Sequence, residues 1–409
     1  MSNQATPRIG FGQALASRQF RALFASQLVS ISGTSIASVA LTILVYQRTA
    51  SPLLASLTFA FGFLPYLLGG GLLSGVIDRV RPRRLVASCD LVSALLAATM
   101  AWPAIPVTVL LALLLAIGTL ASISSGARVA LARSTVSEDA YVPARSLLRI
   151  AAQAAQIGGN AGGGALLVVL TPSGALLVNA AAFAISAAVV RFALADYANI
   201  GQASQARLLR DSLGGARTIL AQVELRRLLL VGWLAPMFAV APEALAAPYI
   251  AAHHASSTLV GWWLVALPIG VIVGDIVGVR LLTPQQQRRV VAPAAAAGFV
   301  PYLAFTFDPS IPIALLLLVA SGACGLYMLG LDARTRDAVP PQLFARAMTL
   351  NSAGLMTLQG VGFTLAGAIA QAVGPAIAIA IAGGLGLAAT TVLLRYDLRP
   401  HRPRIDDRT

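Results

Sequence analysis

The sequence contains no lysine: all 29 of its basic side chains are arginine. A chain without lysine holds no Gly-Lys-Ser/Thr phosphate loop, which argues against ATP-driven chemistry of that kind. Cysteine is scarce. Cys89 and Cys324 each lie in an apolar stretch without a neighbouring thiol or imidazole. They read as packing thiols, and neither a disulfide nor a metal site is implied. The histidine pair His253-His254 is expected in a loop, exposed, and not to bind metal. No nucleophile–base arrangement and no cofactor motif is present, so an enzyme is the weakest reading. Charge itself is rare, at 11% of residues against 57% hydrophobic, where a soluble domain carries about a quarter charged. The mean hydropathy is +0.80, and the solvent it points to is lipid. The net charge of +14 would suggest nucleic acid as partner, but its distribution argues for membrane orientation instead.

Apolar runs long enough to cross the hydrocarbon as helices recur along the chain. They cover Phe20–Tyr46, Leu53–Ile77, Leu85–Ala101, Val107–Ala127, Ser146–Leu170 and Ala175–Ala195 in the first half. Leu228–Ala251, Thr258–Leu282, Val290–Phe307, Ile311–Leu331, Ala347–Ala372 and Ala376–Leu394 follow in the second. Backbone groups in lipid must pair within the segment, and the runs do not alternate, so they are helices rather than strands. The expected fold is an all-α membrane protein of twelve transmembrane helices. The first run is too long for the apolar core of a cleavable signal and reads as a retained helix.

With an even number of spans, both termini share a side. When that side is the cytoplasm, the arginines become one-sided. Arg8, Arg18 and Arg21 precede the first span, and Arg79, Arg81, Arg83 and Arg84 follow the second. Arg128, Arg133 and Arg145 follow the fourth, Arg288 and Arg289 the eighth, and Arg334, Arg336 and Arg346 the tenth. The opposite loops hold only Arg48. The expected location is a bacterial plasma membrane, crossed many times.

Residues 1–195 and 228–395 form two expected six-helix bundles. They are joined by a cytoplasmic connector, 196–227, whose Arg207, Arg210, Arg217, Arg226 and Arg227 among Leu and Ala suggest an amphipathic surface helix. Residues 396–409 form a cytoplasmic tail. The halves echo one another: Arg133 and Arg145 after the fourth span, and Arg334 and Arg346 after the tenth, are both twelve residues apart. Gln156, Gly159 and Gly164 correspond to Gln359, Gly362 and Gly367. Parallel six-helix repeats mark one group of secondary transporters.

The loop Gly75-Val-Ile-Asp78-Arg79-Val-Arg81-Pro82-Arg83-Arg84 resembles the signature loop of the major facilitator superfamily, although Ser74 and Arg81 stand where Gly is usual. The resemblance implies a latch of Asp78, Arg79, Arg83 and Arg84. Gly159-Asn160-Ala161-Gly162-Gly163-Gly164 is similar to the superfamily's Gly-Pro-x-x-Gly-Gly exporter motif, with Asn160 in place of Pro. The same small residues equally serve close helix packing. The fourth span, ending at Ala127, is expected to lack the embedded arginine of many drug exporters. From Phe20 to Leu394 the chain is similar to the superfamily in span count and halves. Arg21-Ala-Leu-Phe24, Ser30-Ile-Ser-Gly33 and Ser51-Pro52 resemble its macrolide and siderophore exporter branch.

Acidic residues inside spans are expensive and ask for a reason. Glu243 lies between Pro236 and Pro242, roughly fifteen residues or about 22 Å into its span. The prolines are expected to kink the helix, and Glu243 is the candidate proton-coupling residue, with a fixed hydrogen bond as the plainer alternative. Asp90 and Asp275 lie near cytoplasmic ends and are expected to pair at gates, Asp90 with Arg79 or an arginine of a following loop, Asp275 beside Arg280. The resemblance places Gln27, Ser30, Ser125, Gln156, Asn160, Asn351 and Gln359 beside a cavity. With Phe61, Trp233 and Phe238 they form an expected apolar lining with a few hydrogen-bonding points. The leading expectation is a monomeric, proton-coupled exporter of hydrophobic or amphipathic small molecules, whose partners are substrate, proton and lipid. An importer of a small metabolite and a transporter-like receptor without flux are the alternatives.

Overall fold

The computed structural model describes residues 11–65, 80–137, 140–196, 219–340 and 343–394. Asp78, Arg79, residues 197–218 of the connector, and the tail lie outside them. The described chain is helical, with no strand among its described residues. After a short helix, Phe11–Ala16, the spans of the first half are Arg18–Thr49, Pro52–Phe63 (the described part of the second), Pro82–Met100, Val107–Thr135, Tyr141–Leu166 and Pro172–Ala193. The seventh is broken into Val223–Ala239, Ala241–Ala244 and Ala246–Ala252, bent by 41° at its last break. Leu259–Leu281 is the eighth. Val291–Ala297, Val300–Leu303 and a 3-10 turn form the ninth, Ile311–Ala338 with one 3-10 turn the tenth, and Phe344–Val373 and Pro375–Leu394 the last two. Seven described helices are long and apolar enough to cross a membrane alone, and the bent seventh makes eight. The third and fifth fall short because they carry Arg83, Arg84 and Asp90, or Arg145, Arg149 and Gln156. The second is cut by the description and the ninth by its break.

Local chemistry sets the starts. Ser51 and Thr171 accept hydrogen bonds from Leu54 and Gly174 backbone N–H groups, and Pro52 and Pro172 take the first helical position, where a missing N–H costs nothing. Several ends run further than hydropathy indicates. The fourth span continues from Ala127 to Thr135 and the tenth from Leu331 to Ala338, while the fifth begins at Tyr141. Arg128, Arg133, Arg145, Arg334 and Arg336 are therefore helical, not loop residues. Hydropathy marks where hydrocarbon ends, whereas a helix persists beyond it until its caps.

Within the first half, the first helix packs on the fifth and sixth, and the third on the fourth and sixth. In the second half the seventh packs on the eleventh and twelfth, and the eighth on the tenth. The second helix crosses to the eleventh and the fifth to the eighth. Glycines make these approaches and carry a pseudo-two-fold relation. A Cβ on Gly159 would meet Ser32 and Ser35 of the first helix; one on Gly362 would meet Met237 and Val240 of the seventh. A Cβ on Gly164 would come 2.7 Å from Thr258 O and 2.8 Å from Gly261 Cα of the eighth, and one on Gly367 would land on Ser56 of the second. The Gly164–Gly261 and Gly367–Ser56 approaches, with Ser51 Oγ 2.8 Å from Gln371 Oε1, join the halves at the arginine-poor end. There Arg48 donates to Ile105 O at 2.9 Å and Pro103 O at 3.0 Å, which explains the one arginine on that side.

At the arginine-rich end, Arg81 pairs with Asp196 at 2.6 Å, and Arg83 and Arg84 approach the same carboxylate at 3.6 Å. Arg83 also donates to Leu194 O at 2.9 Å. The signature-loop arginines thus clasp the end of the sixth helix, a partner absent from the sequence expectation. The hydrogen bond from Arg81, then the three positive charges, hold the Asp196 carboxyl below its ordinary range. Its contribution to stability is present above the ordinary carboxylate range and is lost as pH falls through the lowered value. Thermal unfolding is therefore expected to show a destabilisation below about pH 4, part of which Asp196→Asn removes; an unchanged acid profile would sink the assignment. For the glycine contact, Gly164→Ala is expected to cost about 1–3 kcal/mol by overpacking. Gly158→Ala in the same helix, with nothing within 4 Å of its new Cβ, is expected to be neutral or stabilising in the same melts.

Candidate functional site

A cavity of about 390 Å³ lies along the first helix and reaches the seventh. Gln27, Ser30, Thr34 and Ser38 line it from the first helix, Phe59 and Phe63 from the second, Ser124, Ser125 and Arg128 from the fourth, and Gln156 and Asn160 from the fifth. It extends behind the first helix, between Cys89, Asp90 and Ser93 of the third, Ile117 of the fourth, and Leu176, Asn179 and Phe183 of the sixth. Among the described residues, Glu243 of the seventh is the one lining residue from the second half.

Gln27, Ser30, Ser125, Gln156, Asn160 and Glu243 thus meet at the cavity. Trp233, Phe238, Asn351 and Gln359 do not line it. The reason is local for Trp233, whose indole N–H donates to Asn351 O at 3.0 Å and Oδ1 at 3.1 Å while its ring lies against Gly354. A buried indole needs an acceptor, and this one finds it between helices of the second half. Phe238 packs into the core of that half. Phe61 is absent from the wall because helical phase brings residues four apart to one face. Phe59 and Phe63 face the cavity instead, each with its ring centroid 5.3 Å from that of Phe363 on the eleventh helix.

The main correction concerns Arg128. It is embedded in the fourth helix, two turns before its end, with 13% of its side chain exposed. It donates to Asp90 Oδ2 at 2.5 Å, to Ser186 Oγ at 3.2 Å and to Ser26 Oγ at 3.4 Å. Ser186 in turn donates to Asp90 Oδ2 at 2.6 Å. Four helices thereby contribute to one buried network: the first, third, fourth and sixth. Asp90 sits eight residues past Pro82, about 12 Å along its helix, so the pair lies inside the bundle rather than at a loop gate. The four apolar residues after Arg128, Val129 to Ala132, are the signal that the helix continues.

Glu243 is partly exposed to the cavity and has no ion pair or side-chain hydrogen bond among the described residues. The helix around it is broken at Val240 and Leu245, flanked by the prolines expected to kink it. The carbonyls loosened there are not idle: Trp263 Nε1 donates to Pro242 O at 2.8 Å and Tyr302 Oη to Ala239 O at 2.9 Å. The break is thus held by buried aromatics while the half-buried carboxyl of Glu243 lines the cavity.

The loop-arginine partner expected for Asp275 is not seen: among the described residues no ion pair includes Asp275. The carboxylate within electrostatic reach of Asp275 is Asp332, which Arg149 of the fifth helix and Arg336 in turn influence. The described ion pair at that end is Arg288–Asp337, at 2.6 Å and exposed. His253 and His254 lie in the turn after Ala252 as expected, and His254 is exposed, but His253 is half-buried: it stacks on Tyr249, ring centroids 4.5 Å apart, with Nε2 3.6 Å from Asp308. Among the described residues no group of side chains could hold a metal ion.

Residues 12–406 match a family described as transmembrane secretion effector. Solved structures share the fold at low identity. A point mutant of the nucleoside transporter NupG is 14% identical, with a TM-score of 0.70 over 92% of this chain and 99% of that one. A bacterial homologue of the iron transporter ferroportin, in an inward-facing state, is 16% identical, with a TM-score of 0.67 over 93% and 99%. A bacterial homologue of the lysosomal transporter Spinster is 13% identical, with a TM-score of 0.65 over 92% and 98%. No curated protein matches.

The ion pair makes its own forecast. Arg128→Met strands a buried carboxylate and is expected to destabilise the protein by about 3–5 kcal/mol, whereas Asp90→Leu combined with Arg128→Met is expected to recover most of that loss. A melt of all four proteins closes the cycle, and additive losses would show that the two charges do not depend on each other.

Proposed function

The chain belongs to the transmembrane secretion effector family of major facilitator transporters, and from that premise we propose that it exports hydrophobic or amphipathic small molecules in exchange for protons. The observation that carries the proposal is a cavity whose surface is mostly apolar, with an ion pair on its first-half wall and, among the described residues, the Glu243 carboxyl on its second-half wall. A surface that is mostly apolar, with polar groups spaced along it, suits an amphipathic solute better than a sugar or phosphate.

In this reading the arginine-rich end faces the cytoplasm of a bacterial cell, both termini included. Residues 1–195 and 228–395 rock as bodies about the substrate, with 196–227 as their connector. The halves touch through Gly164–Gly261 and Ser51–Gln371 at the opposite end, an arrangement in which the cavity takes substrate from the cytoplasm. Glu243 carries the proton: its carboxyl, without a basic partner, exchanges with whichever side the cavity faces. Asp90 and Arg128 neutralise one another while the bundle moves, so no net charge crosses the bilayer with them. The protein works as a monomer.

Purified protein in liposomes under an imposed pH gradient tests this, with movement of hydrophobic fluorescent compounds as readout and Glu243→Gln alongside. Gradient-driven movement lost in the variant is the expected result. Movement retained in Glu243→Gln would remove Glu243 from coupling while leaving transport. Compounds that bind but never move would favour a receptor.

A further inference from the structure

The halves meet closely at the arginine-poor end along two seams, the second helix against the eleventh and the fifth against the eighth. Glycine brings both seams to close contact, and Ser51 pairs there with Gln371. The third seam is different. The first helix touches the outer piece of the seventh, Ala246–Ala252, yet a cavity of about 200 Å³ lies between them. Ile43, Tyr46 and Gln47 form its first-half wall, and Ala247, Ala251 and Ala255 much of the other. Alanine carries one methyl group, too short to reach across. No glycine lines the gap to let the backbones close it.

Both walls carry polar side chains, Tyr46 and Gln47 on the first half and Ser257 on the second. Among the described residues none of these three side chains makes a hydrogen bond. They are also reachable: Tyr46 and Ser257 are half-buried and Gln47 is exposed. No charged side chain is among the described lining residues, so the space favours a neutral molecule. Ile43, Ile250 and Val260 are buried and give it an apolar floor. Small-molecule sites have this make-up, a concave apolar space with a few hydrogen-bonding groups left open.

We propose that the gap is a second ligand site, which takes small uncharged amphiphiles with a hydroxyl or amide group and clamps the two halves together at the arginine-poor end. Such a molecule lays its apolar part on Ile43 and Ile250 and its polar group between Tyr46 or Gln47 and Ser257. At about 200 Å³ against 390 Å³, the site admits smaller solutes than the main cavity. Binding needs the geometry alone, whereas its effect on movement rests on the transport reading above. Rocking that opens this end draws the first helix from the seventh and takes the site apart. A ligand that binds one state alone shifts the equilibrium toward that state, so the bound molecule acts as an inhibitor.

The test photolabels the purified protein in liposomes with a diazirine-bearing benzyl alcohol and locates the adducts by mass spectrometry. Saturable labelling is expected in residues 43–47 and 247–260. Excess benzyl alcohol is expected to suppress it, and benzoate, the same ring with a charge, is not. Tyr46→Phe and Ser257→Ala, one from each wall, remove oxygens without a described partner. Each is expected to raise the half-saturating concentration roughly 3- to 10-fold, the worth of one neutral hydrogen bond. Benzyl alcohol is expected to slow gradient-driven dye movement, at concentrations that rise by the same factor in the two variants. A general effect on the bilayer would strike all three proteins alike. Equal competition by benzoate, unchanged saturation in both variants, a shift in one variant alone, or labelled protein that moves dye at full rate would overturn the clamp. Dye movement without saturable labelling at these residues would reject the site and leave the transport reading. Saturable labelling in protein that moves no dye before the alcohol is added would retain the site and reject that reading.

Discussion

Hydrocarbon offers neither a peptide group nor a charge anything to bond with, and that deficiency organises the molecule. Backbone groups are spent within helices. Where the seventh helix breaks, indole and phenol donors from Trp263 and Tyr302 reach in to the loosened carbonyls. The charges obey the same rule. Arg128 enters the bundle with a carboxylate and two hydroxyls around it, while Arg48 fastens a loop and Arg81 the end of a helix. A group without a described partner therefore stands out, and Glu243 is one on the cavity wall.

Much of this was legible from residues alone. Each run of apolar residues corresponds to a helical segment in the expected order, because hydrophobic length is a blunt physical requirement. Close glycine approaches were legible in the paired Gly159/Gly362 and Gly164/Gly367. Less legible was anything that depends on where a helix ends or on which face a residue occupies. Ending the fourth span at the last apolar residue put Arg128 in a loop and removed the embedded arginine from consideration, although the helix continues for two more turns. Composition carries no helical phase, so it is the helix that decides that Phe59 and Phe63 face the cavity and Phe61 does not. Trp233 and Asn351 were both seen as polar-capable and cavity-bound, but each is the other's partner.

The clasp on Asp196 shows a further limit of local reading. The arginines after the second span carry a recognisable pattern, and the pattern invites a search for a partner within the loop. Their described partner lies 115 residues away in sequence, at the end of the sixth helix. Pairing across such a separation is decided by packing of the third helix on the sixth, which no spacing rule encodes. The same packing brings Ser186 to Asp90, so one helix contact serves both the surface clasp and the buried pair.

The lopsided cavity has a thermodynamic consequence. A ligand shifts a conformational equilibrium only by the difference between its affinities for the two states. On the proposed rocking reading, contacts confined to the first six helices travel with them and are the same in both states, however tight they are. The described lining residue through which a bound solute would then favour one state is Glu243 of the seventh helix. Affinity and direction would on that reading fall to different halves of one chain, and the first could change while the second stayed as it is.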